Sequence, residues 1–112
     1  METTNTKETI RQSFLKLPDT IRDWLTSEKT TSEIINLNKK YDFTDELISV
    51  IPFLITKLVI QKIDSAEFSS QLKKQLGVDD KTASIIINEI SAQIFQPIRR
   101  QLEKIGIDLN VF

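Results

Sequence analysis

Leu47-Ile48-Ser49-Val50-Ile51-Pro52-Phe53-Leu54-Ile55-Thr56-Lys57-Leu58-Val59-Ile60 is the most apolar run in the chain and lies near its middle. Wound at helical pitch, it carries hydrocarbon on almost every side, as a helix does when other helices surround it. Pro52 and Lys57 interrupt the run, and it is shorter than the about twenty apolar residues that span a bilayer. It is therefore expected to be the core element of a small, soluble, cytoplasmic all-α protein with no membrane partner.

Working outward, Thr44 is placed to cap this helix, with Asp45 and Glu46 complementing the positive end of its dipole. Pro52 lacks the N–H that would bond back to Ile48, so a kink or break is expected there before the helix resumes to about Ile63. Upstream, Thr30-Thr31-Ser32-Glu33 reads as a capping box opening a helix that runs to about Tyr41, with Asp42-Phe43 as the turn. Earlier still, Asn5 and Glu8 have cap spacing, and Ile10, Phe14 and Leu17 mark an amphipathic helix. Residues 1–4 are polar and expected to be disordered. Pro18 ends the first helix and can open the next, whose stripe is Ile21, Trp24 and Leu25. Trp24, the single tryptophan, reads as a core residue.

Downstream, Asp64-Ser65-Ala66-Glu67 repeats the cap spacing, and Phe68, Leu72 and Leu76 give the next helix its inward face. Gly77 suits a left-handed helix end. Asp79 and Asp80 open a long last helix carrying Ile86, Ile87, Ile90, Ile94, Ile98, Leu102 and Ile105, which Pro97 should kink and Gly106 should end. The expected architecture is an all-α, single-domain bundle of five to six helices over residues 5–106, followed by an extended tail over 107–112.

A shift of 35 residues lays 30–63 on 65–98, matching Leu37 with Leu72, Asp45 with Asp80, Ile51 with Ile86, Ile55 with Ile90 and Ile63 with Ile98. The match reads either as two duplicated helix-turn-helix units or as two amphipathic hairpins aligned by their shared period. Leu17-Pro18, Leu76-Gly77-Val78-Asp79 and Ile94-Phe95-Gln96-Pro97-Ile98-Arg99-Arg100 resemble small helical proteins of candidate-phyla (Patescibacteria-like) bacteria. That resemblance spans roughly residues 14–105 and implies a bacterial protein; it brings no activity and no site residues.

Composition narrows the chemistry. The chain has no histidine and no cysteine, so the commonest general base, the commonest metal ligand and any thiolate are missing. Asp45/Glu46 and Asp79/Asp80 sit in first helical turns, where capping explains them, and neighbours on a helix diverge by about 100°. No phosphate loop, dinucleotide fingerprint, nucleophile elbow or EF-hand spacing occurs. No catalytic residue, metal ligand or cofactor is assigned. Fifteen basic and sixteen acidic residues leave a net charge of −1, which offers no overall attraction for phosphate backbone.

What remains points to a non-enzymatic protein–protein interaction or assembly module, binding another protein or a second copy of itself. Ile107, Leu109, Val111 and Phe112 fall on one side of an extended tail, which either folds over its own bundle or serves as a recognition peptide. Arg99, Arg100 and Lys104 form a small basic cluster on the last helix, with Lys73 and Lys74 as a second. The alternative function is a nucleic-acid-associated accessory protein that uses those cations. A bend at Pro52 or Pro97 could also leave an apolar groove that accepts a partner helix.

Overall fold

The computed structural model describes residues 6–109, which form helices joined by short connections, with no strand among the described residues. Helix α1 (Thr6–Leu15), α2 (Asp19–Leu25) and α3 (Glu28–Lys40) lead to a 3-10 turn (Asp45–Ser49) and α4 (Val50–Val59). Then follow α5 (Ser65–Leu76) and α6 (Asp80–Ile90). The last rod continues from α6 through a π turn (Ser91–Phe95) and a 3-10 turn (Gln96–Ile98) into α7 (Arg99–Lys104). The all-α fold read from the sequence is the fold of the protein. The Asn5 cap and residues 1–4 lie outside the described residues.

One core runs through the molecule. Ile51, Leu54, Ile55 and Val59 of α4 are fully enclosed, together with Ile21, Phe68, Leu72, Ile86, Ile90 and Leu102. An edge-tilted row of aromatic rings joins three elements across it: Trp24 to Phe95 at 6.1 Å and Phe95 to Phe68 at 6.2 Å between centroids.

Pro52 and Pro97 both act on this core, but not alike. The expected kink or break does not fall at Pro52 itself: the 3-10 turn gives way to α4 at Val50, which places Pro52 in the first turn of the helix. In a first turn proline is tolerated, and the one bond its missing N–H could have made is to the Ile48 carbonyl in the 3-10 turn ahead. Ahead of it, Asp45 takes a positive φ of 56° and the Thr44 side chain makes no cap bond, so the chain enters as a 3-10 turn. The Ile48 carbonyl, which Pro52 cannot serve, instead accepts Asn38 Nδ2 from α3 at 3.1 Å. At Pro97 the helical ladder is broken into the π and 3-10 turns, and the carbonyl of Ile94 accepts the Trp24 indole N–H at 3.0 Å. Trp24 is thus a half-buried core residue that ties α2 to the last rod.

Helix ends follow local chemistry closely. Asp64 and Glu67 form the full capping box of α5, and the Asp79 side chain caps α6 by accepting the Thr82 N–H at 2.8 Å. Helix α3 begins earlier than the Thr30 cap implied, because Ser27 accepts the Thr30 N–H and Thr30 is buried beside it. The C-termini of α3, α4, α5 and α7 turn off through left-handed residues at Asp42, Gln61, Gly77 and Gly106. Each is followed by a backbone bond that reaches back five residues: Phe43 to Asn38, Lys62 to Lys57, Val78 to Lys73 and Ile107 to Leu102. At the 35-residue shift, Asp42 and Gly77 therefore share a conformation, and Leu37/Leu72, Ile51/Ile86, Ile55/Ile90 and Ile63/Ile98 are all buried.

These turns predict opposite outcomes for two substitutions in urea unfolding. Asp42→Gly should stabilise by about 0.5–1 kcal/mol, since φ is 61° at that exposed position. Gly106→Ala should destabilise by about 1 kcal/mol for conformational reasons alone, as an added Cβ meets nothing within 4 Å.

Candidate functional site

Helix α4 is not enclosed on every side, as its sequence had implied. Phe53 is 47% exposed and Ile48, just before the helix, is 51% exposed, with Ile35 of α3 nearby in the same lining at 46%. Between α3 and α4 lies an apolar groove of about 560 Å³. Helix α3 lines it with Thr31, Ile34, Ile35 and Asn38, the i, i+3, i+4, i+7 positions of one face. The 3-10 turn and α4 supply Ile48, Pro52 and Thr56 at four-residue intervals, and Leu25 and Phe14 add hydrocarbon from α2 and α1. Two ridges with these spacings, each about two helical turns long, form the seat into which a further helix packs.

Asn38 is the one buried polar side chain in that lining, at 8% exposure. Its Nδ2 is held by the Ile48 carbonyl, while its enclosed Oδ1 has no hydrogen-bond partner among the described residues. Among the described residues, no lining side chain is ionised.

The residues singled out from the sequence fall elsewhere. Ile107 and Leu109 are buried in the chain's own core, at 5% and 2% exposure. Ile107 is the apolar residue that follows the left-handed Gly106, and Ser65 Oγ donates to the Asp108 carbonyl at 2.5 Å. Val111 and Phe112 lie outside the described residues. Arg99 and Arg100 meet beside Pro97 at a shallow polar hollow of about 430 Å³ that also includes Glu103. Arg99 pairs with Glu103 at 3.3 Å, and Lys104 is exposed at the end of the same helix. Lys73 is bridged to Asp80 at 2.5 Å, and Lys74 is exposed. Both basic clusters thus carry their own counter-charges.

A third cluster was not singled out from the sequence. The Glu89 carboxylate of α6 accepts the Tyr41 hydroxyl on one oxygen and Lys40 Nζ on the other, at 2.6 Å for the lysine. Burial pushes the Tyr41 hydroxyl up to about 12, helped by the hydrogen bond to Glu89 and its charge. For Glu89, burial works to raise the carboxyl, but the hydrogen bonds from Lys40 and Tyr41 outweigh it and the net direction is down. A phenol held protonated is a poor nucleophile or base, so the cluster is a clamp between the end of α3 and α6. Among the described residues, no group of three or more acidic side chains converges to hold a metal ion, and no helix is long and apolar enough to cross a membrane.

Comparison with known proteins finds no matching family model, no similar curated protein and no similar solved structure.

The clamp makes stability depend on pH at both extremes. Because the folded Glu89 carboxyl titrates below its unfolded value, its contribution is present above the ordinary glutamate range and lost as pH falls through the folded value. Tyr41 is the reverse case: its contribution is full below 10 and lost as pH rises toward about 12, where the unfolded chain gives up the proton first. Urea midpoints across pH should show both losses, and Tyr41→Phe should remove the alkaline one.

Proposed function

We propose that this chain is a non-enzymatic protein–protein interaction module of the bacterial cytoplasm, and that its α3–α4 groove holds an amphipathic helix of a partner protein. The observation that carries this reading is the pair of helical ridges, Thr31/Ile34/Ile35/Asn38 and Ile48/Pro52/Thr56, walling an apolar groove that no described residue fills. Helix-in-groove recognition uses anchors at i, i+3 or i+4, and i+7, which is the spacing these walls present.

Comparison within the chain supports it. At the 35-residue shift, Ile34 and Ile35 correspond to Ser69 and Ser70, and Pro52 corresponds to the buried Ile87. The second hairpin therefore meets solvent with serines at the register where the first carries isoleucines. An exposed apolar face with that contrast beside it suits a binding surface. The accessory role on nucleic acid has less support, since Arg99 and Lys73 are engaged by Glu103 and Asp80. Flow-through on heparin at low salt is expected; salt-dependent retention that is lost on Arg100→Ala would favour that role instead.

The test is fluorescence anisotropy of labelled amphipathic helical peptides with a two-turn apolar stripe. Binding should weaken at least roughly tenfold in Ile35→Asp and Ile48→Asp, each placing a carboxylate on the groove. Both positions are exposed, so circular dichroism and melting should be nearly unchanged. Light scattering across concentrations should give a monomer. A dimer that Ile35→Asp dissociates would assign the groove to a second copy and overturn the reading.

A further inference from the structure

We infer that the helix held in the α3–α4 groove carries a basic side chain one turn beyond one end of its apolar stripe, set against the carboxylates of Asp42, Asp45 and Glu46. The inference rests on the helix-binding reading above and specifies the charge of its partner.

The groove has one end of distinct charge. The Asn38–Ile48 hydrogen bond joins the last turns of α3 to the 3-10 turn, and both ridges run from there, to Thr31 along α3 and to Thr56 along α4. At this end Asp42 follows α3, and Asp45 opens the 3-10 turn. Such a turn stacks residues three apart, so Asp45 stands about one turn ahead of Ile48 where the ridge ends, with Glu46 beside it. The three acidic residues are exposed, and among the described residues no ion pair engages them. Lys40 is bound to Glu89, which leaves Lys39 to oppose three carboxylates. Farther along, the ridges carry one charge of each sign: Glu28 a turn before Thr31, and Lys57 next to Thr56.

The second hairpin holds the corresponding acid in an ion pair. At the 35-residue shift Asp45 corresponds to Asp80 and Asn38 to Lys73, and Lys73 Nζ lies 2.5 Å from the Asp80 carboxylate. In the first hairpin an amide stands in the place of that ammonium, so Asp45 lacks the cation its counterpart has. Glu46 widens the contrast, since its own counterpart is Lys81.

Charge complementarity then specifies the occupant. Between the ridges the lining is hydrocarbon, threonine hydroxyls and one amide, so a cation within the stripe would leave water with no counter-charge to meet it. Beyond the Asn38–Ile48 end the situation reverses. A lysine or arginine there keeps most of its hydration and gains attraction from the acidic turn, whereas a carboxylate is repelled. The partner is therefore an amphipathic helix whose apolar stripe is followed, at one end, by a basic residue.

The experiment uses the full chain and the labelled helical peptides of the binding test, each carrying Lys, Ala or Glu one turn beyond the stripe at one end or the other. At one end only, Lys should bind roughly threefold tighter than Ala, and Glu roughly threefold weaker, at low salt. The preference should shrink when salt is raised to about 0.5 M. Asp45→Asn combined with Glu46→Gln removes two charges, and asparagine tolerates the left-handed backbone at 45, so circular dichroism should be unchanged. In that variant the difference between Lys and Glu should largely disappear while the Ala peptide still binds. Equal binding of Lys, Ala and Glu, a preference shared by both ends, or one that persists in the double variant would overturn this inference and leave the helix-binding reading standing. If no peptide binds, the helix-binding reading falls and this inference with it. Should the double variant not fold, the comparison of the two ends and its salt dependence on the unaltered chain decide alone.

Discussion

A proline withholds a backbone donor, and in an interior built from isoleucine and leucine very little can replace it. This constraint organises the molecule. Asn38 reaches from α3 to the Ile48 carbonyl four residues ahead of Pro52, and Trp24 reaches from α2 to the Ile94 carbonyl, freed where the ladder breaks into π and 3-10 turns around Pro97. Each contact joins an N-terminal helix to one of the two rods that form the core. The side chains doing this are polar groups on otherwise apolar faces, so their burial follows from the carbonyls they serve rather than from hydrophobicity.

The two repairs have different consequences. An indole has a single N–H and no acceptor, so Trp24 is complete once bonded, and its ring packs at a tilt into the aromatic row with Phe95 and Phe68. A primary amide has two ends. When Asn38 commits its nitrogen to Ile48, its oxygen is left enclosed, with no hydrogen-bond partner among the described residues. Pro52 thus shapes both a wall of the groove and the unmatched acceptor beside it. In the corresponding register of the second hairpin, Ile87 fills the position of Pro52 and Lys73 that of Asn38, with Asp80 bound to the lysine.

Helix boundaries were legible in the sequence wherever they rest on local chemistry. Asp64 with Glu67, Gly77, Asp79 and Gly106 act as their types and spacings imply, because caps and left-handed turns are decided within a few residues. The start of α3 was not, since Ser27 and Thr30 are both competent caps and only the burial of Thr30 separates them. The entry to α4 was misread for a related reason: Thr44 has the right identity, but Asp45 at positive φ prevents a regular first turn. The open face of α4 was also hidden. Periodicity in a nearly uniform apolar run cannot tell which side meets neighbours, and that side became the groove. Asn38 gave no signal of its own. That Pro52 cannot serve Ile48 implies a missing donor, but which residue supplies it is a long-range fact. Ile107 could have been placed in the core from Gly106, because an apolar residue after a left-handed helix end packs back on that helix.

The most direct measurement is a double-mutant cycle on stability with Asn38→Leu and Pro52→Ala, read by urea unfolding. If Asn38 stands in for the donor that Pro52 withholds, Asn38→Leu should destabilise the unaltered chain by about 1–3 kcal/mol, the cost of an unpaired buried carbonyl. With alanine at 52 the backbone N–H can serve Ile48, and the cost of losing Asn38 should fall by at least about 1 kcal/mol. Additive effects, with Asn38→Leu equally harmful in both backgrounds, would contradict the account.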